Sequence, residues 1–314
     1  MQSASINKYL RRLEKNLLRI EDFQEKGCPV DSSMGELYLD LKNLGAYLQQ
    51  AQIENKSTIS QELAESTERY KELLLKYESL ADKLQSREDR GVVASSKTLP
   101  LWFEGLSKVC PNFWGSFERL ATAFGLGMIG FTIIGPSYFL AVGQITFAQY
   151  YQLEMTTLNA LVFVLGIFIG LLLHEFAHAM VLAHNGIGIK RVGAMAGSML
   201  GGFVEAEESS FLQAHPRVHF RFNAVGIGTN LLLAVVLMLI GGLMSSQVLI
   251  FLGLGSLFFG FINSYPIKPL DGGWVYGDLV NSYLKDDKVR SSLLTLPLLM
   301  FVVWILLFVR SALM

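Results

Sequence analysis

Five apolar segments of about 20 residues constrain the fold of this sequence more than any other feature. They lie near residues 120–143, 157–183, 223–245, 247–267 and 292–312. A helix of roughly 20 apolar residues is just long enough to cross the hydrocarbon core of a bilayer. Helices also satisfy their own backbone hydrogen bonds there. The sequence therefore predicts a mainly α, polytopic helical membrane protein with about five spans.

The charged residues are concentrated ahead of this apolar region. Of the 53 Asp, Glu, Lys and Arg residues, 31 precede residue 99 and only 22 lie in the remaining 216 positions. In the charged region, apolar residues recur at helical spacing in three segments, which predicts a soluble helical hairpin or small bundle. We therefore expect a cytoplasmic helical, coiled-coil domain at residues 1–90, a linker and interfacial segment at 91–118, and a membrane domain at 119–314.

A heptad pattern in the third helical segment predicts how the amino-terminal domain packs. The seam consists of Leu63, Tyr70, Tyr77 and Leu84, offset by Ser66, Leu73 and Leu80. Such a seam needs only a partner helix, so packing or self-association without chemistry explains it. The alternative is a docking site for a cytoplasmic regulator or for the tail of a substrate.

Net charge, cysteine content and the amino-terminal residues narrow the class of protein. The net charge of −1 offers no basic face, so no nucleic-acid partner is expected. Cys28 and Cys110 are too few for a disulfide framework and lack CxxC spacing. The first residues, MQSASINKYLRRLEK, lack the apolar core of a signal peptide, so we expect the amino terminus to stay inside the cell.

Lysine and arginine residues in the short loops predict the orientation of the spans. Only Arg310 falls on one side of the predicted membrane, whereas ten such residues fall on the other. The ten are Lys108, Arg119, Lys190, Arg191, Arg217, Arg221, Lys268, Lys285, Lys288 and Arg290. Because cytoplasmic loops are enriched in these residues, the amino terminus and loops 184–222 and 268–291 are expected in the cytoplasm. The carboxyl terminus of this multi-pass cell-membrane protein would lie outside.

The segment LLLHEFAHAM, residues 171–180, places three ionisable residues in the second predicted span. His174 and His178 are four residues apart, so both imidazoles project from one helix face, as two ligands of one zinc ion require. Glu175 is placed beside the first ligand, where it can take a proton from a water molecule. A charge near the bilayer centre costs at least ~2.5–3.5 kcal/mol, so chance explains this triplet poorly.

The third zinc ligand is predicted to be Asp271, because a catalytic zinc ion usually has three protein ligands. Asp271 is the only acidic residue between Glu208 and Asp278, and it lies at the predicted cytoplasmic end of the fourth span. That position is on the same side of the membrane as the two histidines. A carboxylate there completes a site for one zinc ion per chain. The alternative, an aspartate that caps a turn before two glycines, does not explain the shared depth.

The two motifs together resemble those of a known family. HExxH in one span, followed by N-x-x-P-x-x-x-L-D-G from Asn263 to Gly272, is similar to the site-2 protease family of intramembrane zinc metalloproteases. Between these motifs, residues 201–204 (GGFV) are similar to part of that family's membrane-associated β-hairpin. Residues 226–230 (GIGTN) take the place of its G-P-x-x-N motif, with Ile227 instead of proline. The resemblance covers roughly residues 157–283.

This resemblance implies a role for each matching residue. His174, His178 and Asp271 would bind Zn2+, and Glu175 would be the general base and acid. Asn263 would hydrogen-bond the substrate backbone or the active-site surroundings. The residues implied to clamp an extended substrate are Gly201, Gly202, Phe203 and Val204. Two alternatives remain open: a tight turn without a substrate role at 201–204, and an Asn263 that satisfies helix carbonyls ahead of a proline.

These residues predict a zinc metalloendopeptidase that hydrolyses transmembrane protein substrates, in regulated intramembrane proteolysis. Because a helix hides its carbonyl groups in hydrogen bonds, we expect substrates with a weakened helix near the cytoplasmic side. The five histidines disfavour a His-rich membrane oxygenase or desaturase, since they do not supply the ligands of two metal ions. The remaining alternative is a non-catalytic zinc-binding scaffold that sequesters clients through residues 1–90.

Overall fold

Helices dominate the structure, as the sequence predicts. The computed structural model describes residues 3–25, 31–54, 61–88, 92–142, 153–154, 156–196, 200–283 and 287–313. The helices in these ranges are α1 (Ser3–Glu25), α2 (Asp31–Glu54), α3 (Gln61–Glu88), α4 (Leu99–Lys108), α5 (Pro111–Val142), α6 (Thr157–His184), α7 (Glu208–Gln213), α8 (Pro216–Leu243), α9 (Gln247–Asn263), α10 (Asp271–Tyr283) and α11 (Asp287–Leu313). The strands are β1 (Val92–Ser96), β2 (Ile189–Ala196) and β3 (Leu200–Ala206).

The chain divides into two compact units that alternate along the sequence. The first unit contains Met1–Pro100 and Gly186–His219, and the second contains Leu101–Asn185 and Phe220–Met314. The first unit therefore includes a segment that lies between two of the predicted spans.

Helices α1, α2 and α3 of the first unit form the bundle that the sequence predicts. The seam on α3 is confirmed, because Leu63, Ser66, Tyr70, Leu73, Tyr77 and Leu80 are all buried. The side chain of Leu84 lies outside the described residues. Tyr70 donates a hydrogen bond to the Leu41 carbonyl oxygen at 3.1 Å. Burial raises the pKa of the Tyr70 hydroxyl, so this hydroxyl stays a donor at neutral pH.

Helix α7 adds a side chain to this bundle from far along the chain. Leu212 is only 1% exposed and belongs to the same apolar cluster as Leu10, Leu41 and Leu74 of α1, α2 and α3. The domain predicted at residues 1–90 is therefore part of a larger unit, because the segment before α8 shares its core.

The three strands form one antiparallel sheet in the order β1–β2–β3. Strand β1 lies within the segment that the sequence predicts as a linker, and β2 supplies its pairing partner. Ser95 of β1 is opposite Gly193 of β2, which is opposite Phe203 of β3. Strands β2 and β3 correspond to the predicted hairpin, and β3 is an edge strand of the described sheet.

Three helices among the described residues are long and apolar enough to cross a membrane. They are Pro111–Gly135 within α5, Thr157–His184 and Pro216–Leu243, which correspond to the first three predicted spans. The fourth and fifth are not confirmed, since the apolar helices there are shorter, Gln247–Asn263 and Val289–Val302. Helix α9 has 17 residues, roughly 26 Å at 1.5 Å per residue, because a loop begins at Ser264.

Glycines allow α6 and α9 to cross at close range in the second unit. A Cβ on Gly166 of α6 would meet the Leu252 carbonyl oxygen, and one on Gly255 of α9 would meet the Phe163 carbonyl oxygen. Small residues at such a crossing let two helix backbones approach, as in membrane helix pairs. The crossing brings the helix that carries HExxH against the helix that leads to Asp271.

Candidate metal centre

Helix α6 presents His174 and His178 side by side in the second unit. Their spacing of four residues places both rings on one helix face, with ring centroids 4.7 Å apart. His174 is 2% exposed and His178 is 5% exposed. Both imidazoles are therefore almost fully removed from solvent, where an unpaired polar atom would be costly.

Asp271, the first residue of α10, meets both histidines. Its Oδ2 atom lies 2.7 Å from His174 Nε2 and 3.2 Å from His178 Nε2. The three residues each offer one ligand atom, and these atoms all lie within 4.8 Å of one another. The grouping predicted from two distant motifs is confirmed as a set of side chains within metal-binding distance.

Two glycines after Asp271 explain how α10 reaches this place. A Cβ on Gly272 would meet the Ser264 carbonyl oxygen, and a Cβ on Gly273 would meet the Ile267 carbonyl group. The first turn of α10 therefore packs directly on the backbone of the loop after α9. This contact holds the Asp271 carboxylate at the end of the short connection from α9.

The other ring nitrogen of each histidine has its own acceptor. His178 Nδ1 donates to the Phe222 carbonyl oxygen at 2.7 Å, and His174 Nδ1 donates to Asn230 Oδ1 at 3.2 Å. Asn230 Nδ2 donates to the Ser256 carbonyl oxygen at 3.3 Å, which turns the amide oxygen towards His174. Helices α8 and α9 thus fix the tautomer and the orientation of both rings, as is usual around metal ligands.

This hydrogen-bond pattern fits a cation among the three ligand atoms. With hydrogen on Nδ1, each neutral imidazole carries a lone pair on Nε2, and both lone pairs face the Asp271 carboxylate. One metal ion would satisfy all three atoms at once. Protonating both rings instead would place two positive charges side by side in a buried site. Two histidines and a carboxylate are a ligand set typical of catalytic zinc.

Gly226 on α8 keeps space open beside the histidines. A Cβ at this position would lie 2.7 Å from Nε2 of His174 and 2.7 Å from Nε2 of His178. An ion bound to both nitrogen atoms needs room where they converge, and every other residue type would crowd it. Ile227, which replaces the proline of the resembling motif, is fully buried within the continuous helix α8.

Glu175 lies next to the ligands without being one of them. Its side chain is partly exposed, in contrast to those of His174 and His178. The predicted base therefore directly follows the ligand His174 on α6 and is less buried than it.

The predicted substrate-binding residues are not brought together with the metal ligands in one described cluster. Asn263 Nδ2 donates to the Phe259 carbonyl oxygen at 3.1 Å, which is the contact that the alternative interpretation expects. The segment from Gly201 to Val204 is part of β3 in the first unit, so it is a strand and not a tight turn.

Three contributors to the site were not predicted from the sequence: Asn230, Gly226 and the Phe222 carbonyl group. A signal was available for two of them, because GIGTN at 226–230 places an amide and two glycines in an apolar helix. A fully buried Asn in such a helix requires a partner. The Phe222 carbonyl group had no signal, since any residue type supplies one.

No protein-family model, characterised protein or solved structure matches the chain. The resemblance to the site-2 protease family therefore stays a prediction that depends on the motifs. The function of the site is inferred from the chemistry and geometry of its own residues.

Proposed function

We propose that the protein is an intramembrane zinc metalloprotease that hydrolyses peptide bonds in or near transmembrane segments of membrane proteins. The observation that carries this proposal is the convergence of His174, His178 and Asp271 on one site, with the partly exposed Glu175 next to His174 in the sequence. His174, His178 and Asp271 would hold one zinc ion per chain. Bound zinc would supply Lewis-acid chemistry, which acidifies water and polarises a carbonyl group.

Other residues of the chain would transfer the proton, orient the two histidines and exclude water. Glu175 takes a proton from the attacking water molecule and returns it to the leaving amine nitrogen of the substrate. Asn230 and the Phe222 carbonyl group keep the Nε2 lone pairs of the two histidines directed at the ion. Helices α8 and α9 exclude water from the ligand side of the site, since both imidazoles are buried.

The substrate in this proposal is a transmembrane helix that unwinds before it is cleaved. A helical carbonyl group is engaged in a hydrogen bond, so hydrolysis requires a locally extended backbone. An extended chain can pair with an exposed sheet edge through main-chain hydrogen bonds. Strand β3, which carries Gly201–Val204, is such an edge and is the proposed substrate-pairing element.

The membrane arrangement in this proposal includes the two shorter apolar helices. Helices α9 and α11 would complete five spans, with the amino terminus and the active site towards the cytoplasm and the carboxyl terminus outside. The loop charges of the sequence support this orientation. Residues 1–90 would recruit a cytoplasmic regulator or mediate self-association.

The test uses the purified full-length protein in proteoliposomes with single-span reporter proteins that carry helix-weakening residues. Glu175→Gln should retain zinc and lower the cleavage rate by roughly 10²–10⁴-fold, since it removes the proton acceptor. Glu154→Gln, at an exposed carboxylate outside the site, is the matched control and should cleave at the unchanged rate. Undiminished cleavage by zinc-loaded Glu175→Gln would overturn the assignment. Zinc binding without cleavage of any reporter by the unmodified protein would favour the non-catalytic scaffold.

A further inference from the structure

A polar cavity of about 420 Å³ lies in the second unit, and none of the metal ligands lines it. Its lining comes from the first turns of α5, the last turn of α6 and the start of α8. Asn112, Ser116 and Arg119 contribute from α5, His184 from α6 and Arg221 from α8. We propose that this cavity binds the phosphate headgroup of an anionic phospholipid.

The charge of the cavity favours an anion. Arg119 and Arg221 both line it, and the single lining carboxylate belongs to Glu118. Both oxygen atoms of Glu118 are already engaged, Oε1 by Arg221 at 3.0 Å and Oε2 by Asn185 at 3.2 Å. Because the Glu118 side chain is only 3% exposed, little of this carboxylate is open to a ligand in the cavity. Two guanidinium groups against one compensated carboxylate leave an excess positive charge for a ligand.

The hydrogen-bonding groups of the cavity match a phosphate ester. A guanidinium group can donate two parallel hydrogen bonds to phosphate oxygens. The Asn112 amide, the Ser116 hydroxyl and the His184 ring add shorter polar side chains around the same space. Arg119 Nη2 lies 3.5 Å from Ser116 Oγ, the outer limit of a hydrogen bond, so this guanidinium group is held only weakly.

An exposed apolar stripe beside the cavity favours a lipid over a soluble phosphate compound. Phe113, Phe117 and Leu120 follow one another at helical spacing on α5, directly next to the polar stripe of Asn112, Ser116 and Arg119. Phe113 is 59% exposed and Leu120 is 51% exposed. A phospholipid would place its phosphate in the cavity and its acyl chains along this stripe, on a helix long enough to cross a membrane.

Lipid binding at this cavity is separate from metal binding. None of the residues that line it is a metal ligand, an acceptor for a ligand histidine or the predicted base. Loss of the metal should therefore leave the retained lipid unchanged, and loss of the lipid site should leave the metal content unchanged.

The test measures which lipid stays bound to the full-length protein. The protein is purified in detergent micelles that contain equal amounts of phosphatidylglycerol and phosphatidylcholine with identical acyl chains, and the retained lipid is counted by native mass spectrometry. We expect retention of phosphatidylglycerol over phosphatidylcholine. Arg119→Glu should reduce this preference roughly tenfold, the effect expected from losing hydrogen bonds to a charged group. Asn112→Asp, which adds a charge to the same wall at an exposed position, should act in the same direction.

Lys108→Glu is the matched control, because it makes the same change of charge at an exposed position of α4 outside the cavity. It should keep the preference for phosphatidylglycerol. Equal retention of both lipids by the unmodified protein would overturn the proposal, as would an equal loss in Arg119→Glu and Lys108→Glu. Complete displacement by a large excess of inorganic phosphate would also overturn it, in favour of a soluble phosphate ligand.

Discussion

At the scale of single residues, the candidate metal centre depends on an absent side chain as much as on its ligands. Gly226 borders the space where the Nε2 atoms of His174 and His178 converge, and Asn230 lies one helical turn further on the same helix. Both residues act on the histidines without binding the ion themselves. Each can therefore be changed while all three ligands are retained.

Gly226→Ala should remove the metal without removing a ligand. The added methyl group would lie 2.7 Å from both Nε2 atoms, so either the rings or the ion must move. We expect zinc affinity to fall at least tenfold, measured by zinc content after dialysis against buffers of fixed free zinc. Gly127→Ala is the control, since a Cβ there meets nothing within 4 Å on α5. Equal zinc content in the two variants would contradict the role given to Gly226.

Asn230→Ala should weaken zinc binding by about 10–100-fold, because it removes the acceptor that orients His174. Asn230→Asp keeps an oxygen acceptor and should restore part of the affinity. Asn159→Ala is the control, because it also removes a buried amide from α6, about four helical turns before His174. This amide donates hydrogen bonds to the Glu154 carbonyl oxygen and to Gln247. Metal titrations should separate the variants: a loss of affinity in Asn159→Ala as large as in Asn230→Ala would indicate a general packing effect.

The ligands could be predicted from the sequence, whereas the hydrogen-bond partners of the two histidines could not be assigned from it. The spacing of His174 and His178 is a property of one helix. Asp271 is the only acidic residue between Glu208 and Asp278, and it lies on the same predicted side of the membrane as the two histidines. Which groups accept hydrogen bonds from the other ring nitrogens depends on how α8 and α9 pack against α6. Helix packing of this kind has no local sequence pattern.

At the scale of secondary-structure elements, the short helix α7 contributes one buried residue, Leu212, to the amino-terminal core. The side chain of this leucine is buried among leucines of α1, α2 and α3. Helix α8, which carries Gly226 and Asn230, begins three residues after α7 ends. The amino-terminal bundle is thus connected through a short segment to a helix of the candidate metal centre.

Leu212→Ala should destabilise the first unit by about 2–5 kcal/mol, the usual cost of such a truncation in a packed core. The measurement is hydrogen exchange of the amides in α1, α2 and α3, which should lose protection. Leu18→Ala truncates a leucine that is 57% exposed on α1 and should leave the exchange nearly unchanged. Unchanged protection in Leu212→Ala would show that α7 is not part of this core.

Element types followed from the sequence wherever the periodicity is local. The seam on α3 was predictable because buried positions recur every three or four residues along one helix. Strand β1 was not predictable, because VVASS pairs with β2 about a hundred residues later. The residue at which α9 ends could not be predicted either, since an apolar composition continues into the loop that begins at Ser264.

At the scale of the whole molecule, the chain builds its two compact units from alternating segments. Residues Gly186–His219 return to the first unit between segments of the second. A division of the sequence into consecutive domains by composition cannot represent this arrangement. Composition shows how polar each segment is, but it does not show which segments pack against each other. Removing the first 90 residues would therefore remove packing partners from a segment that lies far along the chain.

Deletion of residues 1–90 should expose α7 to proteases. Without α1, α2 and α3, Leu212 loses the apolar cluster that buries it. We expect new cleavage sites between Glu208 and Gln213 under limited proteolysis, followed by mass spectrometry of the fragments. If the cleavage pattern of residues 186–219 were the same with and without the deletion, the shared core of the first unit would be refuted.

The dependence of reporter cleavage on zinc tests the central claim most directly. The full-length protein in proteoliposomes is stripped of metal with a chelator and then titrated with zinc, and the cleavage products of a single-span reporter are identified by mass spectrometry. We predict that cleavage stops on removal of zinc and returns in full at one zinc ion per chain, with a cut in or near the transmembrane segment. Cleavage that persists in metal-free protein, or a chain that binds zinc at His174, His178 and Asp271 and cleaves no reporter, would contradict the account.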